Sequence, residues 1–308
     1  MMPEIAVILN SKAGTARAAG LREKIAEVFA LHGARADVRV VSRGARLRDV
    51  ARALRDDGLK TIVAGGGDGT VSSVASQLVG YDVRLGVLPL GTLNHFARDL
   101  GLPMDLDGAI KVICASNPTR VDVGMVNGLT FINNSSLGLY PDMVRVREKW
   151  RRRLGKWVAM VMASLIVLTR FPFLRITADI EGIRIKRRCP LVVVGNNEYK
   201  LEPRQFTQRE VLDCGCLGVY LLRDEGRAEL LRLALHSLVY RLDEAASFEH
   251  YRTGEVVLTA RRKSIRVALD GEVYRLKTPL HYKSVPRSLC VLVPKRPAAE
   301  GPPAPGEG

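Results

Sequence analysis

The sequence predicts an α/β domain with a parallel sheet followed by a mainly antiparallel β-sandwich domain, and three observations carry that expectation. Over the first 125 residues, short apolar runs alternate with segments of helical periodicity. After Val121 that rhythm largely stops and short β-rich runs recur. At the third strand the chain breaks into Gly65-Gly-Gly-Asp-Gly-Thr70 and then enters a helix. Alternating strands and helices imply parallel βαβ units with right-handed crossovers, whereas consecutive short strands imply antiparallel pairing.

In order, strands are expected at 5–9, 36–41, 61–64 and 84–88, each an apolar or β-branched run, with helices at 15–31, 47–55 and 70–78. The second domain takes strands at 121–126, 129–134, 175–180, 183–187, 191–194, 217–222, 255–259, 264–268 and 272–276. Helix-like stretches interrupt it at 141–169 and 227–238. A last strand at 289–293 returns to the first domain. The boundaries are therefore 1–124, completed by 285–294, for the α/β domain and 125–284 for the β-rich domain. The proline-rich residues 295–308 cannot bury enough to fold and form a disordered tail.

Lysine and arginine number 47 against 32 acids, a net charge of +15, which implies an anionic partner: nucleic acid, a phosphate-rich ligand or an anionic membrane surface. No recognition-helix motif or aromatic-interleaved basic strand supports nucleic acid. The N-terminus lacks a basic region and a long apolar stretch, so a cytoplasmic location is expected. The 5 cysteines include no C-x₂-C pair and are expected as reduced thiols, mostly in the core, with Cys214 and Cys216 side by side on one strand face. The apolar run at 157–168 is too short to span ~30 Å of hydrocarbon. It follows a basic run at 145–156 that carries Trp150 and leads to Trp157. Together they read either as an element docked on anionic lipid headgroups or as a buried helix with a solvated approach.

In parallel sheets, ligands bind at the carboxyl ends of the strands. There the loops at 10–14, Ser42, 65–70 and 89–94 converge. Glycines let a backbone approach a ligand, and the helix that follows points its unpaired N–H groups at an anion. Asp68 would repel phosphates unless a cation such as Mg²⁺ lay between them. The loop lacks the Gly-Lys-Ser/Thr of a P-loop and the third glycine of a dinucleotide fingerprint. A helix-capping Asp68 or Thr70 in a glycine-rich turn would need no ligand at all.

Three segments, Ala64-Gly-Gly-Gly-Asp-Gly-Thr70, Pro89-Leu-Gly-Thr-Leu-Asn-His-Phe-Ala-Arg98 and Val267-Ala-Leu-Asp-Gly-Glu272, resemble the diacylglycerol kinase catalytic-domain family. That family includes bacterial soluble lipid kinases and sphingosine kinases. The likeness runs from Asn10 to the last strand. It implies transfer of the ATP γ-phosphoryl group to a lipid hydroxyl at the inner face of a membrane. The matching Gly66, Gly67, Asp68, Gly69 and Thr70, with Asn10, Ser42, Thr92 and Asn94, would hold the nucleotide. Asp68 and Asp122 are the candidate ligands of Mg²⁺. Glu272 is the candidate base, since one carboxylate within reach of the acceptor hydroxyl orients it and takes its proton. Asp270-Gly271 also makes a strong turn dipeptide, which would aim Glu272 at the cleft.

The chain departs from the pattern in two places. His95 stands where relatives carry an Asp, and Cys214 stands where the family's structural magnesium loop has its acid. Asp213, one residue away on a strand-like segment, points oppositely, so no ion is expected at 211–216. Residues 200–203 replace a glycine-rich substrate-side loop, so the acceptor can differ from diacylglycerol. Two other functions remain open on sequence: a soluble-substrate kinase of the NAD or sugar-phosphate type, and a weakly catalytic lipid-binding regulator. The oligomeric state is not legible.

Overall fold

The computed structural model describes residues 4–11, 20–42, 44–138, 173–199, 209–224 and 248–295. The N-terminal half follows the predicted alternation: β1 (Ile5–Asn10), α1 (Leu21–Leu31), β2 (Ala36–Val41), α2 (Gly44–Asp56), β3 (Thr61–Gly66), α3 (Asp68–Ala75) and β4 (Arg84–Pro89). These strands lie parallel in the order β2-β1-β3-β4. Two further helices, α4 (His95–Asp99) and α5 (Leu106–Ala115), precede β5 (Pro118–Val126).

Period-two side-chain alternation explains why the parallel strands are apolar throughout. Ile5, Val7, Leu9 and Val63 face Ile25, Phe29, Ile110 and Ile113 of α1 and α5. Ala6, Ile8, Ile62 and Ala64 face Leu47, Leu54, Val71 and Val74 of α2 and α3. Each fully buried Ile, Leu or Phe contributes about 1.5–3 kcal/mol, so both faces must be covered.

The β-rich half adds β6 (Leu129–Phe131), β7 (Asn134–Gly138), β8 (Leu174–Ile180), β9 (Ile183–Cys189), β10 (Leu191–Asn196), β11 (Leu217–Leu222), β12 (Phe248–Thr253), β13 (Glu255–Ala260), β14 (Ser264–Leu269), β15 (Glu272–Lys277) and β16 (Leu280–Leu292). Six of them form a separate antiparallel sheet, β12-β11-β10-β7-β14-β15. The others extend the first sheet through β16, which pairs antiparallel with β13 and β5, then parallel with β4 at Cys290 and Val291. A core of Val126, Leu137, Val192, Val219, Leu258, Val267 and Tyr282 fills the space between the sheets.

Several sequence expectations are refined: α4 was not anticipated, and the last strand, expected at 289–293, runs from Leu280 to Leu292. The strand expected at 129–134 is two strands in different sheets, because Ile132 and Asn133 carry the chain from one sheet to the other. Helix α5 was not anticipated, although Asp105 caps it by accepting from Gly108 N at 2.8 Å and apolar residues recur at 106, 109, 110 and 113. Strand β12 was also missed, its polar Phe-Glu-His-Tyr-Arg-Thr sequence hiding the pairing with β11. The helix-like stretches at 141–169 and 227–238, the basic run 145–156, the substitution at 200–203 and the tail from 296 lie outside the described residues.

Candidate active site

The carboxyl ends of β1, β2, β3 and β4 bring Asn10, Ser42, the turn after Gly66 and the loop after Pro89 to one edge, as anticipated. Asn10 Nδ2 donates to Thr70 Oγ1 at 2.8 Å, locking β1 to the first turn of α3. A side chain on Gly66 would collide with Thr70, and one on Gly91 would strike the backbone of Gly67. Backbone thus packs on backbone where the two loops meet, which only glycine permits. Asn94, at φ +52°, uses its side chain inside its own loop: Oδ1 accepts from Gly91 N at 3.0 Å, and Nδ2 donates to the carbonyls of Pro89 and Gly91. It therefore shapes the loop. Ser42 and Thr92 stand exposed at the rim.

Asp68 opens α3 half-buried, and its Oδ1 accepts from Phe96 N at 3.2 Å at the start of α4. The glycine turn and the His95-Phe96 segment are thereby joined. Asp122, the other candidate metal ligand, is 1% exposed. Its Oδ2 accepts from Gly215 N at 2.6 Å and Asn197 Nδ2 at 2.8 Å, and its Oδ1 from Arg287 N at 2.8 Å. Such a ring of N–H donors satisfies a buried carboxylate by hydrogen bonds. Among the described residues no group of three or more His, Cys, Asp or Glu side chains could hold a metal ion.

The Asp270-Gly271 turn joins β14 to β15 with Asp270 at φ +46° and Gly271 at φ +85°. Asp270 Oδ2 accepts from Ser72 Oγ at 2.6 Å and Ile132 N at 2.8 Å, while Oδ1 accepts from Asn133 N at 2.8 Å and Asn134 N at 3.1 Å. Burial pushes this carboxyl up, and the hydrogen bonds from Ser72 and the three amides oppose that rise. Ser72 sits one turn beyond Asp68 on α3. The glycine turn and the turn before Glu272 are consequently fastened to one helix.

Glu272 is partly exposed; its Oε2 accepts from Tyr274 Oη at 2.8 Å and stands 3.6 Å from a guanidinium nitrogen of Arg48 on α2. Burial and the bond to Glu272 push the Tyr274 phenol up to about 12, so it remains a donor at neutral pH. A second bridge joins the domains through Asp99 at the end of α4 and Arg209, whose side chains are 1% and 0% exposed. The guanidinium meets Asp99 at 2.7 Å and donates to the carbonyls of Ile132 and Asn196 and to Asn133 Oδ1. Burial pushes the Asp99 carboxyl up and Arg209 draws it back. Sequence reasoning missed Ser72, Arg48, Tyr274 and this pair. For Tyr274 a signal was present: it lies two positions after Glu272 on one strand, so period-two alternation puts both on the same face.

The cysteine expectation fails at one place: Cys214 and Cys216 are joined by a disulfide, while Cys114, Cys189 and Cys290 are free. Both lie in the bend before β11 rather than on a strand, and Gly215 at φ +67° curls the chain so that the two sulfurs meet.

A family model for the diacylglycerol kinase catalytic domain matches residues 4–126. A protein of Salmonella dublin named "Probable lipid kinase YegS" is 37% identical over 249 residues, spanning 79% of this chain and 80% of that protein. A match to the protein of the same name in Escherichia fergusonii, also 37% identical, spans about half of each chain. "Probable lipid kinase YegS-like" of Chromohalobacter salexigens is 28% identical and covers 94% of this chain and 93% of its own. Among solved structures, a diacylglycerol kinase of Bacillus anthracis superposes with a TM-score of 0.68 at 19% identity, over 94% of this chain and 97% of that one. At that identity the superposition speaks for the two-domain fold.

Proposed function

This chain belongs to the diacylglycerol kinase catalytic-domain family, a lipid-kinase family, and from that premise we propose that it transfers the γ-phosphoryl group of ATP to the hydroxyl of a diacylglycerol-like or sphingoid lipid. The observation that carries the reading is the bond of Ser72 to Asp270 at 2.6 Å. It fixes the turn bearing Glu272 to the same helix that the glycine turn opens, which supports reading them as acceptor base and phosphate cradle of one site.

Phosphoryl transfer depends on positioning and on neutralising charge. The amides of Gly67, Asp68 and Gly69 and the N-terminus of α3 receive phosphate, with Asn10, Thr70, Ser42 and Thr92 around them. Glu272 accepts the proton of the attacking hydroxyl. Asp68 suits Mg²⁺, being a hard oxygen donor beside the phosphate cradle, and this cation is commonly held by one or two carboxylates together with substrate phosphates. When bound it would neutralise the charge that develops on the transferred group. Asp122, enclosed by donors, takes no part in holding it.

The net charge of +15 supports work at an anionic membrane surface from the cytoplasmic side. No helix among the described residues is long and apolar enough to cross a membrane, which suits peripheral attachment. The test is to incubate the protein with γ-labelled ATP, Mg²⁺ and extracted membrane lipids and identify the labelled product. A phosphorylated lipid is the expected outcome. Label transferred only to a soluble nucleotide or sugar, or none transferred, would overturn the reading.

A further inference from the structure

We propose that Cys214 and Cys216 form a thiol–disulfide exchange site, with glutathione or a dithiol as its reaction partner. Their bond closes a ring of adjacent residues, at a sequence separation of 2. Loop-closure entropy grows with the length of chain enclosed, so a ring this small adds little as a staple. In one respect the inference rests on the kinase reading: a consumer of ATP works in a reducing compartment, where disulfides are mostly transient and redox-sensing.

Geometry sets the direction of attack. Cys214 is half-buried and lines an open cavity of about 390 Å³ shared with Glu198, Glu210, His250 and Arg252, whereas Cys216 is only 5% exposed. An incoming thiolate therefore bonds to Sγ of Cys214, and the S–S bond breaks with its electron pair leaving on Sγ of Cys216, which takes a proton. A second thiol of the reductant then attacks the mixed disulfide and releases Cys214, which is protonated in turn. Two electrons and two protons pass to the cysteine pair, and the reductant leaves as its own disulfide.

The loop that carries this bond is woven around Asp122. Gly215 N donates to Asp122 Oδ2, and Asn197 Nδ2 donates both to that oxygen and to Cys214 Sγ at 3.3 Å. Asn197 N donates to the Cys216 carbonyl, and Asp122 N to that of Leu212. Breaking the bond frees the curl at Gly215 and loosens the loop's hold on a carboxylate that also takes Arg287 N. The free cysteines provide internal controls: Cys189 is buried, with its thiol pushed up to about 12 by that burial, and Cys290 is buried too.

The experiment is alkylation mapping of the full-length native protein by mass spectrometry, with amide hydrogen exchange measured on the same samples. Protein isolated without reductant is expected to carry Cys214 and Cys216 unlabelled, in a peptide two hydrogens lighter than the dithiol. Reduced glutathione or dithiothreitol should open both to label in the folded state, leave Cys189 and Cys290 protected, and speed exchange at 211–216 about tenfold. Oxidised glutathione should reverse all of this, and Cys214→Ser should abolish the response. Two unbonded thiols in the untreated protein would overturn the proposal. So would a bond that yields only after denaturation. Because the readout is thiol state, a protein without lipid-kinase activity would pass or fail independently.

Discussion

Replacing Asp270 by Asn removes the charge that gathers Ser72 and three backbone amides while changing the side chain's shape very little. Each carboxylate oxygen accepts from two of those donors. An amide keeps one oxygen and turns an NH₂ toward the other two donors, so two hydrogen bonds to a charged acceptor are lost. At about 1.5–3 kcal/mol for each such bond, the gross loss is roughly 3–6 kcal/mol. The amide carries no charge to bury, so the desolvation cost that pushes the Asp270 carboxyl up is absent, and this returns part of the loss. A net cost of about 3 kcal/mol corresponds to a fall in Tm of roughly 6–9 °C for a chain of this size. Thermal denaturation followed by circular dichroism reads that fall. Steady-state kinetics should show kcat reduced about tenfold or more with little change in KM for ATP, because the glycine turn stays in place while Glu272 loses its mooring. A Tm within about 1 °C of wild type, or an unchanged kcat, would refute the claim that this carboxylate aligns the two halves of the site.

Glu272→Gln should lower turnover by roughly two or more orders of magnitude with nucleotide affinity nearly unchanged, read by single-turnover kinetics and nucleotide titration; lost ATP binding with intact turnover would make the residue structural. Asp68→Asn should abolish phosphoryl transfer in a protein that still folds, and activity within a few-fold of wild type would remove it from the site. Arg209→Met leaves Asp99 buried without its partner and should cost about 3–5 kcal/mol by denaturant titration; a cost below about 1 kcal/mol would mean the pair does not brace the domains. The Tyr274 phenol, held near 12, is favoured neutral in the fold, so its stabilising contribution is complete below the ordinary tyrosine value of about 10 and disappears as pH rises through about 12. Tyr274→Phe should therefore delete a step near 12 from the ultraviolet titration, and a step deleted near 10 would show that the phenol is not held by Glu272.

Much of the fold is written in local pattern. Apolar runs such as Ile5 to Leu9 and Thr61 to Ala64 can only be strands buried on both faces, and the glycines at 65–69 have no reason to cluster except to let backbone come close. Asp68 was singled out by the glycines beside it, and Glu272 by the resemblance of the segment Val267 to Glu272 to the kinase family. Two elements were not anticipated: α5, although its capping Asp105 and apolar spacing were there to be read, and β12, whose mostly polar sequence hides a place set by pairing with β11.

What the sequence by itself determined is the order of the first seven elements, the change from parallel to antiparallel rhythm near Val121, and the loops that converge at the sheet edge. Tertiary structure alone decided how those loops are held. Ser72 and Asp270 lie 198 positions apart, and Asp99 and Arg209 lie 110 apart. No periodicity or propensity connects residues at such distances. Their meeting follows from β16 carrying the first sheet from its parallel strands into its antiparallel ones and from the chain switching sheets at Ile132 and Asn133, whose backbone groups then point at Asp270 and Arg209. The cysteine pair shows the same limit at short range: sequence suggested two thiols on a strand face, and the left-handed turn at Gly215, in a bend before β11, instead brought them within bonding distance.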